Sequence, residues 1–511
     1  MEWIGSIVQR GPHGPWQLST AAHGRPDLLE RHTIMATIKI SEIKWDRTIY
    51  PRSDWSKSTA ERYADAMSAG DIFPPIILQK DTNVLLDGKH RYEAYKIAGI
   101  DEVPFEWNVI PEGMSQKYFA AILSSRHGDR LSNKDLETLA REEFERDASI
   151  DPTRWGERLA LSKSTVYRWV SDILTKAKAG RELKAWRLAK LGWTLEEIAS
   201  VLGIKKTQAG DDISENSQIG NIGNSLGPDW NAKGLAAEAE RLGIRETDAW
   251  AAALDGMEDK AIFEKLDWGI RTWDNWAFNS CDNRFGEEWP GRIPAQLVAH
   301  TLFYFTKTGD VVFDPMAGGG VVSDTCLVFG RKCFSFDLSA RDYRPEIVKH
   351  QWDAGHPTFP EFMQKGRSKK IDLLFFDPPY FTKKEKEYDE KAGDDGVSIS
   401  SLSREEYLEF FKKFFIAAKD YMKPDGRIAF LNADWRDFQH TAARKESPEK
   451  AITIFDYHHV LDKAGWEVTH RISVPLSTER FSGNVVAKMQ EGRILGVVTR
   501  DLLMARRRAN G

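Results

Sequence analysis

Apolar positions along the chain change period from one segment to the next, and the changes predict the elements. Ile38, Ile40 and Ile43 alternate with polar residues as in a short strand, and residues 59–69 carry a helical pattern that Gly70 stops. Pro75-Ile76-Ile77-Leu78 reads as a second strand, and Val84-Leu85-Leu86 leads through Asp87-Gly88 into a helix start. Residues 126–215 turn helical throughout. Residues 216–234, rich in Asn, Gly and Ser, read as a linker, and 235–266 return to Ala and Leu at helical spacing. From there strands and helices alternate. An apolar helix over 296–305 precedes a buried strand at 311–313, a helix running to Gly330 and a strand over 332–336. The run Ile371, Leu373, Leu374, Phe375, Phe376 has the look of a central parallel strand. A helix over 407–421, a turn at Lys423-Pro424-Asp425-Gly426, a strand over 427–431 and last strands over 466–474 and 494–504 complete the pattern. Such alternation predicts an α/β fold with a doubly wound, Rossmann-like sheet in the C-terminal half.

The first 34 residues show no periodicity and are rich in Gly, Pro and His. They lack the apolar stretch of a signal peptide and are expected to be a disordered extension; Met35 opens the first clean pattern, and a misassigned start codon would explain what precedes it. The expected organisation is a small α/β module over 35–125, a helical region over 126–215, a linker and helical connector over 216–275, and a catalytic domain over 276–511. The length of 511 residues suits this number of parts. Trp268, Trp273 and Trp276 read as packing at a domain junction.

Composition narrows the function. Net charge is −5, so no global basic field points to nucleic acid, and any such contact must come from local patches. Cys281, Cys326 and Cys333 have no metal-ligand spacing, which suits a reducing cytoplasm and gives no metal site. No apolar run reaches the ~18 residues that span a bilayer, so no membrane partner is expected.

Two stretches carry chemistry in the C-terminal half. Asp377-Pro378-Pro379-Tyr380 ends the buried strand with an acid, a rigid turn without N–H donors and an aromatic ring, at the strand end where open α/β sheets bind ligands. Upstream, the strand at 311–313 runs into Asp314-Pro315-Met316-Ala317-Gly318-Gly319-Gly320, a glycine turn that lets a ligand approach the backbone. No Gly-Lys-Ser/Thr follows, so it is not a phosphate loop. Asp337 ends the next strand, 23 residues after Asp314, close to the ~20-residue offset of ribose-binding acids. Asp353, after Trp352, is the next acid in an apolar setting and a candidate for an adenine amino group.

The N-terminal half carries two more. At Gly88-Lys89-His90-Arg91 a glycine turn opens a helix, whose N–H groups suit a phosphate while Lys89 and Arg91 add charge. In the helical region, Ser162-Lys163-Ser164-Thr165-Val166-Tyr167-Arg168-Trp169 reads as the second helix of a helix-turn-helix. Ser162 is its N-cap, Val166, Val170 and Ile173 face inward, and Lys163, Ser164, Tyr167 and Arg168 face out toward DNA. A second unit begins at Trp193 with a Thr194/Glu197 capping box and a core of Ile198, Ala199, Val201 and Leu202. Asp211 and Asp212 in its following helix suit packing or homodimerisation better than DNA.

These motifs resemble two families. The stretch around Gly88 and Arg91 resembles the ParB N-terminal domain family, whose Gly-Glu-Arg-Arg motif binds a nucleotide, often cytidine triphosphate. Lys89 and His90 depart from it, which bears on hydrolysis more than on fold. ParB-family proteins also place helix-turn-helix units after this module. Asp314–Gly320 and Asp377–Tyr380 together resemble the two signature motifs of S-adenosylmethionine-dependent DNA amino-methyltransferases over residues 285–505, with Met316 for the usual Phe and Val321 where Thr is common. The resemblance implies that Asp314, Pro315, Met316, Ala317, Gly318 and Gly320 hold the methionine part of S-adenosylmethionine, Asp337 the ribose and Asp353 the adenine, with 292–296 closing over the methionine end. It implies a prokaryotic or phage protein at the nucleoid, with double-stranded DNA as partner.

Asp377 and the Pro378 carbonyl suit the two N–H groups of an exocyclic amine, and Tyr380 suits stacking on a flipped base. No Pro-Cys dipeptide occurs, which argues against thiolate attack at a ring carbon. The expected activity is N6-adenine methylation of DNA. The alternatives are cytosine-N4 or RNA amino-methylation, or a nucleotide-switched DNA-binding adaptor. The charged stretch 381–396 reads as a loop that closes on DNA or is merely solvated, and Arg506-Arg507-Arg508 as a tail that meets phosphate or solvent. With little room for a recognition insert beside the sheet, DNA targeting falls to the N-terminal half. A chain beginning near Leu235 is expected to fold and bind cofactor.

Overall fold

The first apolar runs pair into a four-stranded sheet of order β1-β4-β2-β3, made of β1 (Thr37–Lys39), β2 (Ile76–Gln79), β3 (Leu85–Asp87) and β4 (Glu102–Asn108). The structure is a computed structural model that describes residues 36–127, 131–216, 219, 222, 230–339, 341, 343–364, 370–379, 399–434, 451–475, 483–491 and 497–508. The extension over 1–34, Tyr380 and the charged stretch 381–396 lie outside the described residues. The chain divides into two units, Met1–Leu174 and Thr175–Gly511.

In the first unit, β1 is shorter than the alternation predicts, because Ile40 opens a 3-10 turn (Ile40–Glu42). Helix α1 (Lys57–Ser68) starts where the Ser56 hydroxyl accepts from Thr59 N–H at 3.2 Å. Helix α2 (Lys89–Ile97) starts at Gly88, whose φ of 96° is open to glycine and costly for other residues. Helices α3 (Gln116–His127), α4 (Asn133–Arg146), α5 (Pro152–Glu157) and the start of α6 (Lys163–Lys190) share a core of Leu139, Phe144, Trp155, Val166 and Val170. Tyr118 stacks on Trp155 at 5.1 Å and donates to its carbonyl at 2.9 Å, which fixes α5 ahead of the turn into α6.

The unit boundary falls inside α6. The helical region read as one block over 126–215 therefore divides, and its second helix pair belongs to the second unit's core. There α7 (Leu195–Leu202) carries the expected capping box at Thr194 and Glu197. Ile198 and Ala199 are buried, but Val201, expected inside, is exposed. In α8 (Lys206–Ser214) Asp212 is fully buried against Arg181, with 2.6 Å between Nε and Oδ2, so this acid serves packing. Ile219 and Ile222, inside the stretch read as a linker, are buried in the same core. Helices α9 (Ala232–Leu242), α10 (Glu246–Ala253) and α11 (Asp259–Lys265) follow. Trp268 and Trp276 pack in the core as expected, but Trp273 is 79% exposed.

The sheet of the second unit comes next in the chain. Helix α12 (Ala295–Phe305) leads to β5 (Val311–Asp314), α13 (Val321–Val328), β6 (Lys332–Asp337), β7 (Ile347–Lys349), α14 (Glu361–Gln364) and β8 (Ile371–Phe376). Helix α15 (Arg404–Ala418), β9 (Met422–Ala433), α16 (Ile454–Lys463), β10 (Trp466–Pro475), α17 (Gly483–Glu491) and β11 (Thr499–Arg507) complete it. Strand order is β10-β11-β9-β8-β5-β6-β7. The strands from β7 to β9 are parallel, and β11 runs antiparallel to both β9 and β10. From β5 the chain winds outward first to β6 and β7 and then returns to β8 on the other side, so the switch point lies between β5 and β8. This is a doubly wound, Rossmann-like α/β sheet with a separate small α/β module and a helical region, as the pattern predicts.

Two details differ from the pattern. Residues 423–426 are looped out within β9, between the partners Ile371↔Met422 and Leu373↔Arg427. The last strand starts at Thr499 and takes in the basic tail. Arg506 pairs with Glu467 at 3.0 Å, Arg507 donates to the Met422 carbonyl at 3.2 Å, and Arg508 pairs with Asp462. Those three cations hold the sheet edge. Phe376, Phe411, Phe414, Phe415 and Phe430 fill the layer between β8, β9 and α15, which makes the end of β8 a rigid platform.

Candidate functional site

Parallel pairing sets the geometry of the site. Val312 lies opposite Leu373 and Phe313 opposite Leu374, so Asp314 and Asp377 leave neighbouring strands at the same, carboxyl, edge. Both line one cleft, of about 1090 Å³ when counted out to solvent at its mouth. The Pro315–Gly319 turn, Asp337 and Ser339 form one wall, Trp289–Ile293 another, and His350–Trp352 with Pro378 and Pro379 the rest.

Asp314 is the most informative group. It is 2% exposed, and its Oδ1 accepts from Met316 N–H at 3.3 Å. Its Oδ2 is buried and finds no hydrogen-bond partner among the described residues. Burial pushes its pKa well above the usual carboxylate range, and the nearby charges of Asp337 and Asp377 push the same way. A buried carboxylate oxygen without a donor is costly unless something cationic completes it.

Asp337 sits at the end of β6. Its Oδ2 accepts from Gly318 N–H at 2.9 Å and its Oδ1 from Ser339 N–H at 3.0 Å. Burial raises its pKa, and those two hydrogen bonds oppose the rise. A carboxylate oxygen takes more than one donor, so Asp337 keeps capacity for hydroxyl groups in the cleft.

The glycines of the turn serve a different end from the one expected. Gly320 starts α13 at φ 79°, and a Cβ there would run into the Arg344 guanidinium. A Cβ on Gly319 would lie 2.6 Å from the Glu287 carbonyl. At both positions the close approach is by protein rather than ligand. Arg344 donates to the Gly319 carbonyl at 3.1 Å and the Gly320 carbonyl at 3.2 Å, and it pairs with Asp324 at 3.0 Å. Asp324 is fully buried; burial alone would raise its pKa, but Arg245, Arg344 and Arg187 overcome this and hold it ionised. Trp289 packs on Gly318, and the Arg341 guanidinium lies 4.2 Å from that ring while donating to the Gly318 carbonyl at 2.6 Å.

Asp353 is a correction. It is exposed, does not line the cleft, and closes a local turn in which its Oδ1 accepts from Gly355 and His356 N–H at 2.6 and 2.9 Å. The cleft-facing groups of this loop are His350, Gln351 and Trp352. Trp352 anchors the loop by donating to the Pro315 carbonyl at 2.9 Å. His350 Nε2 is buried without a partner among the described residues, and burial lowers the imidazole pKa, which keeps the ring neutral. Sequence reasoning missed His350 because β7, which positions it, is only three residues long.

At the end of β8, Asp377, Pro378 and Pro379 all line the cleft, and Tyr407 donates to the Pro379 carbonyl at 2.9 Å. Tyr380 lies outside the described residues.

The Gly88 turn of the first unit departs from the phosphate reading. Lys89 is 6% exposed, pairs with Glu93, and lies 3.9 Å from the Trp45 ring centroid. Burial lowers its pKa. Arg91 donates to Asp87 Oδ2 at 2.9 Å and to the Pro74 carbonyl at 3.0 Å. Both cations are engaged inside the unit, Lys89 with Glu93 of its own helix and the Trp45 ring and Arg91 with Asp87 of β3, so the turn does not present them to a nucleotide. On α6 the pattern of exposed and buried positions is the expected one. The Ser162 hydroxyl accepts from Thr165 N–H at 3.2 Å, and Lys163, Ser164, Tyr167 and Arg168 are exposed over a buried Val166 and Val170. Among the described residues neither Lys163 nor Arg168 forms an ion pair.

No family model and no curated protein matches the chain. Among solved structures, the geranyl diphosphate C-methyltransferase of Streptomyces coelicolor A3(2) is 12% identical over 42% of this chain and 79% of that one, with a TM-score of 0.27. A TehB-like S-adenosylmethionine-dependent methyltransferase of Corynebacterium glutamicum is 11% identical over 42% and 86%, with a TM-score of 0.24. The chromosome-partitioning protein ParB of Caulobacter crescentus, complexed to the centromeric parS site, is 12% identical over 35% of this chain and 99% of that one, with a TM-score of 0.21. At these scores none of them bears on substrate or partner.

Proposed function

We propose that the second unit transfers a methyl group from S-adenosylmethionine to an exocyclic amine of a nucleobase, N6 of adenine in DNA, and that the first unit supplies DNA affinity. The observation that carries this is the pairing of two carboxylates in one cleft. Asp314 has a buried oxygen awaiting a cation, and Asp377 stands beside it at the head of a Pro-Pro turn.

The cleft's own groups fit the cofactor. Asp314 would take the ammonium, Asp337 the ribose hydroxyls, and His350 with Trp352 the adenine. When bound, the cofactor supplies a sulfonium methyl, already a strong electrophile. The protein must then make a delocalised amine lone pair available. Asp377 and the Pro378 carbonyl accept the two N–H groups, which favours a tetrahedral nitrogen with its lone pair aimed at the methyl. Asp377 would also take up the proton that the methylated amine releases and pass it to solvent.

The test is incubation of the full chain with labelled S-adenosylmethionine and either DNA or RNA, followed by nucleoside analysis. N6-methyladenine from DNA is expected. N4-methylcytosine, or label only in RNA, would replace the substrate assignment; no label in either would overturn the reading.

Asp314→Asn supplies a second test. Losing a charge-assisted hydrogen bond is expected to weaken cofactor binding by about 1.5–3 kcal/mol, tenfold or more. In the wild type the cofactor binds the ionised acid, whose free-state pKa is raised. Affinity should therefore rise with pH through that raised value and level off above it, while the Asn variant stays flat. The empty protein shows the reverse sign. Stability linked to Asp314 is present below the ordinary carboxylate pKa and is lost as pH rises through the raised value, so Asp314→Asn should raise the melting temperature at neutral pH. Calorimetric titration across pH, with thermal melts, checks both.

For the first unit, Lys163→Ala with Arg168→Ala is expected to weaken DNA binding and reduce its salt slope by about 1 for each phosphate left without its cation, with cofactor affinity unchanged. Fluorescence anisotropy at several salt concentrations measures it; an unaltered slope would remove the α6 face from the DNA interface.

A further inference from the structure

We infer that Tyr407 and Tyr457 form a buried hydroxyl relay that positions the Asp377–Pro379 turn. The inference rests on the methyl-transfer reading for its consequence in catalysis, and on the Tyr407–Pro379 hydrogen bond and the packing of the two rings for its geometry. Tyr407, from α15, has no exposed surface, and its hydroxyl donates to the Pro379 carbonyl at 2.9 Å. Tyr457, from α16, is 1% exposed, and its hydroxyl neighbours that of Tyr407. A phenol has one proton. With Tyr407's given to Pro379, a bond between the two hydroxyls requires Tyr457 as its donor, and each bond would then polarise the next.

The turn needs such a grip. Pro378 and Pro379 have no N–H, so those two residues cannot be tied down through donors of their own. A carbonyl is what remains for another element to hold. The two rings are themselves fixed. Tyr407 packs edge-on to Phe411 at 4.7 Å, and Tyr457 edge-on to Phe430 of β9 at 5.4 Å. Phe430 lies opposite Phe376, the last residue of β8, so the relay is braced against the strand that carries the turn. With the Pro379 carbonyl held, the Asp377 carboxylate and the Pro378 carbonyl keep a fixed direction into the cleft, and the target nitrogen meets two acceptors already in place.

The test is Tyr407→Phe in the full chain, which removes the hydroxyl and keeps the ring. Because misplacing reacting groups by about 1 Å costs on the order of a hundredfold, kcat is expected to fall by about ten- to a hundredfold. The cofactor dissociation constant should not move, and KM for DNA should change far less than kcat. Tyr457→Phe, which leaves the Pro379 hydrogen bond in place, should act in the same direction and less; it also serves if Tyr407→Phe does not fold. A packing role alone would lower the melting temperature and leave kcat per bound cofactor unchanged, which would overturn the inference. Hydrogen exchange over residues 371–379, read by mass spectrometry, needs no turnover. Faster exchange at Asp377 in Tyr407→Phe is expected, and unchanged exchange would overturn the relay. If the wild type transfers no methyl group, the methyl-transfer reading fails, and exchange alone decides the relay.

Discussion

Asp377→Ala is expected to stop methyl transfer while leaving S-adenosylmethionine bound. The loss should be about 10²–10⁴-fold in kcat, the range for removing a positioned proton acceptor. The groups proposed to hold the cofactor survive the change, since Asp314, Asp337 and His350 come from other strands and loops. The substitution also removes one of the like charges that raise Asp314, so the pH at which cofactor affinity levels off should move down. A rate equal to wild type in the Ala variant, with labelled cofactor, would take Asp377 out of the chemistry. Loss of cofactor binding along with rate would show that Asp377 serves the cofactor rather than the target amine.

What could be read from the sequence was what is local. β5 is a buried run ending in Asp and β8 a buried run followed by Asp, and a run of that kind at the centre of a parallel sheet looks the same wherever it occurs. The α6 face was legible because N-cap, apolar and cationic positions all lie within one helix. The misreadings share a cause, which is that the deciding partner comes from elsewhere in the chain. Lys89 looked free beside Gly88, but Trp45 lies 3.9 Å from its ammonium. Asp353 looked sheltered after Trp352, yet the two side chains part at that loop: Trp352 turns inward to the Pro315 carbonyl, and Asp353 closes a turn in solvent. The glycines after Asp314 suggested a ligand, and Arg344 and Glu287 fill the space instead. No local pattern announces an Arg344 that reaches back to the Gly320 carbonyl.

The same long reach bears on where the second unit begins, and argues against the expectation that a chain starting near Leu235 folds. Arg187, on α6, is 4% exposed and belongs to a buried ionic cluster. It pairs with Asp248 at 2.5 Å, with Asp324 across 137 residues of sequence, and with Glu346 at 3.0 Å. Arg344 joins Asp324 and Glu346 from the other side, and the same Arg344 holds the turn beside Asp314. Beside this cluster, Leu188 and Leu191 are fully buried in the core, and the Leu191 carbonyl accepts from Cys333 N–H of β6 at 3.0 Å. Starting at Leu235 removes Arg187 and leaves Asp324, Asp248 and Glu346 buried with less counter-charge. Breaking one buried pair costs about 3–5 kcal/mol, and losing each core leucine about 2–5 kcal/mol. A domain has only about 5–15 kcal/mol to lose. A chain of residues 235–511 is therefore expected to be unfolded or aggregated, while residues 175–511 should melt cooperatively and bind S-adenosylmethionine. Arg187→Met in the full chain separates charge from truncation. It leaves the leucines in place and should still destabilise, with cofactor affinity falling as the Arg344 grip on the Gly319–Gly320 turn loosens. Circular dichroism melts and calorimetric titration of the three proteins decide the matter. A cooperative melt and wild-type cofactor affinity in residues 235–511 would show that the connector helices merely cover a domain complete without them.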